Sequence, residues 1–188
     1  MTQPVVALLG ISGVGKSTVL NKLAGTIAFQ HVQASTIIKS ARDAQVATQL
    51  GVDELRSLDI DDNQALLISG FAAARDPAAP VVVLDGHSVI DTPQGLICIP
   101  PIIFAQLGVS LFVFLADDAA AIADRRRQDQ TRRRPTRTSD ELERHQNEAL
   151  RNTFAAARLL NAPLMVFSPT QVDAIRAGLT LAAGMRIA

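Results

Sequence analysis

The chain has 188 residues, of which 48% are hydrophobic, and its formal net charge is zero. That composition predicts a folded domain with a sizeable core, and the neutral charge argues against a general attraction to nucleic acid or to a membrane surface. The single cysteine, Cys98, cannot form an internal disulfide, and the N-terminus leads directly into an apolar strand without a signal peptide, so we expect a cytoplasmic protein. The most apolar segment, residues 97–107, is interrupted by Pro100 and Pro101, so no membrane span is expected.

The predicted elements alternate between strands and helices. Apolar runs predict strands at residues 5–9, 29–34, 81–84, 111–116 and 164–167. Helical spacing of apolar residues predicts helices at residues 18–24, 37–50, 63–75, 119–134, 141–160 and 172–183. Because continuous apolar strands between helices are typical of buried parallel sheets, we predict a three-layer α/β fold. It would hold a five-stranded parallel sheet with helices on both faces.

The longest predicted helix has a sequence signal at its start and an apolar face. Thr138 and Glu141 have the spacing of a capping box. The face predicted to pack on the sheet consists of Leu142, Ala149, Leu150, Phe154, Ala157 and Leu160.

A glycine-rich run follows the first strand and leads into the first helix. It consists of Gly10, Ile11, Ser12, Gly13, Val14, Gly15, Lys16, Ser17 and Thr18. This is the phosphate-loop (Walker A) pattern, in which backbone N–H groups and the positive end of a helix hold the phosphates of a nucleotide. The pattern predicts that Lys16 reaches the β and γ phosphates and that the Ser17 hydroxyl ligates Mg²⁺.

Two further polar residues follow the third strand, at the sheet edge where the glycine loop begins. Asp85 ends an apolar strand, so it could hold Mg²⁺ or orient a water, or simply cap the next turn; the nearby loop favours the metal role. His87 is either structural or in contact with substrate phosphates, and the sequence leaves both interpretations open.

Residues 125–137 hold seven of the chain's 15 arginines and no lysine. The run could be a solvated helix face or a nucleic-acid patch. A guanidinium grips phosphate oxygens in pairs, however, which favours a lid at about residues 125–138 that closes over a transferring phosphoryl group.

The segment between the second and third strands is long for a simple crossover. It holds two predicted helices, so it is either an ordinary helical hairpin or an insert, at about residues 36–75, that walls a second substrate site.

These motifs resemble those of the archaeal-type adenylate kinases, a branch of the phosphate-loop nucleoside monophosphate kinases. The resemblance runs from about residue 4 to residue 169. Besides the glycine loop, it is carried by Arg56-Ser57-Leu58-Asp59, Val82-Val83-Leu84-Asp85-Gly86-His87-Ser88, Thr92-Pro93-Gln94-Gly95, Asp129-Gln130-Thr131-Arg132-Arg133-Arg134 and Glu143-Arg144-His145-Gln146. The glycine loop is generic, whereas the His-Ser, Thr-Pro-x-Gly and Glu-x-His-Gln runs are much narrower signals.

The resemblance implies reversible transfer of the γ-phosphate of MgATP to AMP, giving two ADP, and it implies trimers. It implies one kinase domain, residues 1–188, with an AMP-binding insert and a short lid. Lys16 would neutralise the transferring phosphate. The lid arginines Arg125, Arg132 and Arg134 would clamp phosphates, and Thr36 and Arg56 would lie on the AMP side, with which we group His87.

Two positions depart from the family pattern. Gly86 stands where a threonine is expected, which bears on the acceptor site, and Pro135 stands where an acidic residue often closes the lid motif.

Three alternatives remain. The first is a kinase for CMP, UMP or dAMP, since the sequence does not fix the acceptor base. The second is an ATP-binding regulatory switch, which the arginine cluster disfavours because a switch needs no second phosphate site. The third is nucleic-acid binding through the arginine run, which the zero net charge disfavours.

Overall fold

The computed structural model describes residues 3–48, 60–92, 94–129 and 135–184. The strands of this part are β1 (Val5–Leu9), β2 (Gln30–Gln33), β3 (Val82–Asp85), β4 (Val89–Thr92), β5 (Gly95–Cys98), β6 (Val109–Leu115) and β7 (Leu164–Phe167). The helices are α1 (Lys16–Ala24), α2 (Ala34–Thr48), α3 (Ile60–Ala74), α4 (Pro101–Gln106), α5 (Ala119–Gln128), α6 (Ser139–Leu160) and α7 (Val172–Ala182).

Five strands form one parallel sheet in the order β2-β3-β1-β6-β7. All five residues of β1 are buried. Because successive side chains of a strand point to opposite faces, this burial requires that both faces of the sheet be covered. The predicted three-layer α/β fold is therefore confirmed.

The sheet register brings the predicted site elements to one edge. Leu8 of β1 lies opposite Asp85 of β3 and opposite Val113 of β6. Because the strands are parallel, the segments that follow β1, β3 and β6 all leave the sheet at its carboxyl edge, the usual position of a ligand site.

The sequence did not predict the antiparallel hairpin of β4 and β5. Val89 pairs with Cys98 and Thr92 pairs with Gly95. The apolar segment at residues 97–107 is divided between β5 and the short helix α4, which begins with Pro101 at its first position. A proline is tolerated there because the first N–H groups of a helix have no intrahelical partner, so these prolines start a helix rather than only interrupt an apolar run.

Helix α6 begins at the predicted capping box. Thr138 Oγ1 accepts a hydrogen bond from Glu141 N at 3.2 Å, and Glu141 Oε2 accepts one from Thr138 N at 2.8 Å. The predicted packing of Phe154 is wrong, because this residue is 55% exposed. At 100° per residue, Phe154 lies about 120° around the helix from the buried Leu142, beyond the edge of the apolar stripe.

Helix α6 also fixes the segment that connects β3 to the hairpin. Ser88 Oγ donates to the Ala149 carbonyl at 2.7 Å, and Asn152 Nδ2 donates to the carbonyls of Ser88 and Ile99 at 2.7 and 2.9 Å. These bonds attach both ends of the hairpin to the middle of α6.

The predicted helix at residues 119–134 is described only in part. Helix α5 ends at Gln128, and residues 130–134 lie outside the described residues. Within the described ranges, no helix combines the length and the apolar character that crossing a membrane requires.

Candidate active site

The loop between β1 and α1 depends on glycine at two positions. Gly10 and Gly13 have φ angles of 149° and 87°. A Cβ atom on Gly10 would lie 2.7 Å from the Leu115 carbonyl oxygen, and one on Gly13 would lie 2.8 Å from Arg126 Cγ. Neither position has room for a side chain, so the loop backbone passes directly against β6 and α5.

Two apolar side chains anchor this loop in the core. Ile11 and Val14 are fully buried, whereas Ser12, Gly13 and Gly15 line a cleft. The alternation leaves the loop backbone facing the cleft at the N-terminus of α1, where an anion is favoured by the free N–H groups and by the helix dipole.

Lys16 lies at the centre of this cleft. Its Nζ donates to the Gly10 carbonyl at 2.9 Å and lies 3.9 Å from Asp85 Oδ1. Lys16 and Asp85 are buried, at 9% and 5% exposure, although both line the cleft. The ammonium group is thus held at the base of the loop, beside the carboxylate that ends β3.

His87 contacts the same carbonyl as Lys16. Its Nδ1 lies 2.7 Å from the Gly10 oxygen. Removal from water, and then the positive charge of Lys16, lower the pKa of His87 from 6.5 to about 3. The neutral imidazole therefore donates its Nδ1–H to Gly10, and His87 supports the loop while also lining the cleft.

The predicted metal ligands share the cleft and suit Mg²⁺. Ser17 offers a hydroxyl oxygen and Asp85 a carboxylate, the donor type that this cation requires. His31 Nε2 also lies 3.6 Å from Asp85 Oδ2. Among the described residues, no group of three or more His, Cys, Asp or Glu side chains could hold a metal by itself. One or two protein oxygens together with substrate phosphates are the usual Mg²⁺ arrangement, so the residues fit.

Arg125, predicted as a lid arginine, lies against the glycine loop. Its Nε donates to the Gly13 carbonyl at 2.9 Å, and a terminal nitrogen donates to Asp117 Oδ2 at 2.6 Å. Gln146 in turn fixes the backbone of Asp117, accepting from its N–H and donating to its carbonyl, both at 3.0 Å. The Gln of the Glu-x-His-Gln run therefore reaches the loop through two intermediates.

A second arginine, Arg126, contacts the neighbouring loop residue. Its Nε donates to the Ser12 carbonyl at 2.8 Å, and one terminal nitrogen lies 3.4 Å from Asp91 Oδ2. Asp91 also accepts from Arg137 at 2.9 Å, and His145 lies 3.9 Å away. Sequence reasoning missed Asp91, because it stands on the hairpin that was not predicted and nothing local marks its partners.

The cleft has a volume of about 1180 Å³ and extends from the glycine loop to the opposite side. The opposite side is formed by α2, α3 and α4, and its lining includes Ile38, Lys39, Leu67, Ile103, Phe104 and Leu107. The wall that faces the loop also carries polar side chains on α2 and α3, namely Ser35, Lys39, Asn63 and Gln64.

The remaining predicted site residues are not all described. Arg56, Arg132 and Arg134 lie outside the described residues. Thr36 is exposed on α2, where its Oγ1 donates to Gln33 Oε1 at 3.2 Å. Gly86 lines the cleft, and a Cβ atom there would meet nothing closer than Ala34 Cβ at 3.7 Å, so the position has room for a side chain.

Comparisons with known proteins identify similar sequences. The family described as AAA domain matches residues 9–143. The adenylate kinase of Methanococcus aeolicus is 26% identical over 152 residues, covering 78% of this chain and 79% of that protein. The adenylate kinase of Pyrococcus horikoshii is 29% identical over 161 residues, covering 80% of each. The predicted resemblance to archaeal adenylate kinases is confirmed.

Solved structures share the fold at lower sequence identity. A sugar kinase from Janibacter superposes with a TM-score of 0.56 at 14% identity, covering 98% of this chain and 96% of that chain. A shikimate kinase from Acinetobacter baumannii, solved in complex with shikimate, gives 0.55 at 16% identity, covering 97% and 94%.

Proposed function

We propose that this chain, which belongs to the AAA domain family, is a nucleoside monophosphate kinase that reversibly transfers the γ-phosphate of MgATP to AMP, giving two ADP. The observation that carries the proposal is the shared cleft. One cavity of about 1180 Å³ joins the glycine loop to a wall of apolar and polar side chains on α2, α3 and α4. The similarity to archaeal adenylate kinases over about four fifths of the chain supports the same reaction.

The donor side is the glycine loop from Gly10 to Thr18. The β and γ phosphates of ATP lie against its backbone N–H groups, and Lys16 leaves the Gly10 carbonyl to contact the transferring phosphate. His87 remains bonded to that carbonyl. Ser17 and Asp85 would hold Mg²⁺, which when bound neutralises charge on the β and γ phosphates.

The acceptor side lies across the cleft. The segment at about residues 36–75 forms the AMP-binding insert, with Thr36 and Arg56 on the AMP side. Apolar side chains such as Ile38 and Leu67 line the cleft there, and they offer a surface on which a base can pack. Arg56 would pair with the single phosphate of AMP.

Transfer needs no covalent intermediate on the protein. An oxygen of the AMP phosphate attacks the γ-phosphorus in line, the bond from that phosphorus to the β–γ bridging oxygen breaks, and ADP leaves. The enzyme contributes positioning and charge stabilisation. Arg125, Arg132 and Arg134, from a lid at about residues 125–138, would stabilise the negative charge and help to exclude water.

The alternative acceptors CMP, UMP and dAMP use the same chemistry, and a regulatory ATP-binding switch uses only the donor side. Purified protein should be incubated with MgATP and each of AMP, CMP, UMP and dAMP, with shikimate as a non-nucleotide control, and ADP should be measured. We expect the highest kcat/KM with AMP. Preference for another monophosphate would reassign the acceptor. ATP binding without turnover on any monophosphate would indicate the switch.

A further inference from the structure

Asp91 connects three parts of the chain that are distant in sequence. It stands on β4 and accepts from Arg126 at the end of α5 and from Arg137 just before α6, at 3.4 and 2.9 Å. Arg137 also donates to the Thr92 carbonyl at 3.1 Å, so it grips the hairpin at two points. One carboxylate thus ties α5 and the start of α6 to the same hairpin.

The cluster is shielded from solvent. The side chains of Asp91 and Arg126 are 9% and 8% exposed, and that of Arg137 is 23% exposed. His145 faces Asp91 from α6 at 3.9 Å. Burial, and to a lesser degree the neighbouring Arg126, lower the pKa of His145, whereas Asp91 opposes this shift. Asp91 accepts a charge-assisted hydrogen bond from Arg137 at 2.9 Å and forms a longer ion pair with Arg126 at 3.4 Å, so one shielded carboxylate restrains both guanidinium groups.

The position of Arg126 bears directly on the glycine loop. Its Nε donates to the Ser12 carbonyl at 2.8 Å, and its Cγ lies only 2.8 Å from the position that a Cβ on Gly13 would take. The Ser12 carbonyl and the Gly13 N–H belong to one planar trans peptide unit and point in opposite directions. A hydrogen bond that fixes the carbonyl therefore also fixes the direction of that N–H. With Ser12 fixed by Arg126 and Gly13 fixed by Arg125, two consecutive peptide units of the loop are oriented by arginines of α5.

We propose that Asp91 is a positioning residue of the phosphate site: by holding Arg126 against the Ser12 carbonyl, it presets the loop backbone for the phosphates of a bound nucleotide. The proposal rests on the function proposed above only in taking the ligand to be a nucleoside di- or triphosphate. Asp91 contacts no substrate and acts through Arg126.

The test compares Asp91→Asn and Arg126→Lys with a matched control, Asp124→Asn. Asp124 pairs with Arg127 on the exposed side of α5 and lies outside the site. MgADP binding should be measured by calorimetry, kcat and KM by steady-state kinetics, and folding by thermal denaturation. Asp91→Asn and Arg126→Lys should each weaken MgADP binding about tenfold, the effect of losing one charge-assisted contact. The control should match the wild type.

Two variants that act on one connection should not be additive. The double variant Asp91→Asn/Arg126→Lys should therefore bind MgADP about as weakly as either single variant. Fully additive losses would overturn the proposal, and so would wild-type MgADP affinity in folded Asp91→Asn. If Asp91→Asn does not fold, because two guanidinium groups lose their partner, Arg126→Lys decides: wild-type MgADP affinity in that variant would overturn the proposal.

The experiment separates this inference from the proposed function. A wild-type protein that binds MgADP but phosphorylates no monophosphate would end the kinase proposal. The affinities of the variants for MgADP would still test the positioning role of Asp91, because that measurement needs no acceptor.

Discussion

Replacing Lys16 by methionine should lower kcat by about a hundredfold or more, equivalent to roughly 2.7 kcal/mol of transition-state stabilisation. The ammonium group is held 2.9 Å from the Gly10 carbonyl, at the base of the loop that would hold the transferring phosphate. Its charge should matter more in the transition state than in ground-state binding, so the KM for ATP should change much less than kcat.

The variant should remain folded, because the two groups that Lys16 contacts keep other partners. The Gly10 carbonyl keeps its hydrogen bond from His87 at 2.7 Å, and Asp85 keeps His31 at 3.6 Å. Since Lys16 is also one cause of the lowered pKa of His87, that pKa should rise in the variant.

The assay is steady-state ADP production from MgATP and AMP, with thermal denaturation as a check on folding. Lys22→Met is the matched control, since it removes the same group from an exposed position on the same helix. Near-normal turnover in folded Lys16→Met would refute the reasoning and would remove the glycine loop from the mechanism.

Three further predictions concern other parts of the site. Arg125→Ala should lower kcat about tenfold, because the Gly13 carbonyl loses its hydrogen bond from Nε, and should change Tm little, because the ion pair of this partly exposed side chain adds little stability. An unchanged kcat would remove Arg125 from the site. Arg56→Ala should raise the KM for AMP by about ten- to a hundredfold and leave that for ATP nearly unchanged, whereas equal effects in steady-state kinetics would make Arg56 structural. The pKa of His87 is lowered to about 3 in the folded protein, so this residue stays neutral there, whereas in the unfolded chain it binds a proton below about pH 6.5. The free energy of unfolding should therefore decrease as the pH is lowered through this window. Between pH 7.5 and 5 this residue should account for about 2 kcal/mol of lost unfolding free energy, which His87→Gln should abolish in urea titrations; equal pH slopes in the two proteins would contradict it.

The sheet and the glycine loop could be predicted because their signals are local. Four of the five sheet strands, β1, β3, β6 and β7, are mainly apolar runs, whereas β2 holds only one apolar residue, Val32. The loop pattern indicates both its own conformation and the elements beside it. A strand that is buried on both faces has apolar residues at every position and not at every second one, so it is visible as an unbroken apolar run. All five residues of β1 are buried in this way.

The hairpin and the role of Asp91 could not be predicted, because both depend on contacts with residues that are distant in the sequence. Asp91 is separated by 35 residues from Arg126 and by 46 residues from Arg137. In the sequence it is one acidic residue in a mixed polar and apolar segment, with no spacing that indicates burial. Only the fold brings two guanidinium groups to it.

Phe154 illustrates the opposite error. Its apolar character and its approximate helical spacing suggested a core position, but the buried stripe of α6 is narrower than the face we assumed. Small residues, Thr153, Ala156 and Ala157, occupy the centre of the stripe in that turn, so the helix packs closely there and leaves the phenylalanine outside.

The bonds between α6 and the segments around β4 have a consequence for how the domain opens. At 22 residues the helix is about 33 Å long. Its Asn152 holds the carbonyls of Ser88 and Ile99, and its Gln146 holds the Asp117 backbone. The Asp117 amide proton, which donates to Gln146, should exchange with solvent only when α6 separates from the sheet. Because that separation exposes the core, the loop-supporting half of the cleft should exchange its hydrogens at the rate of global unfolding, and nucleotide binding should slow both together.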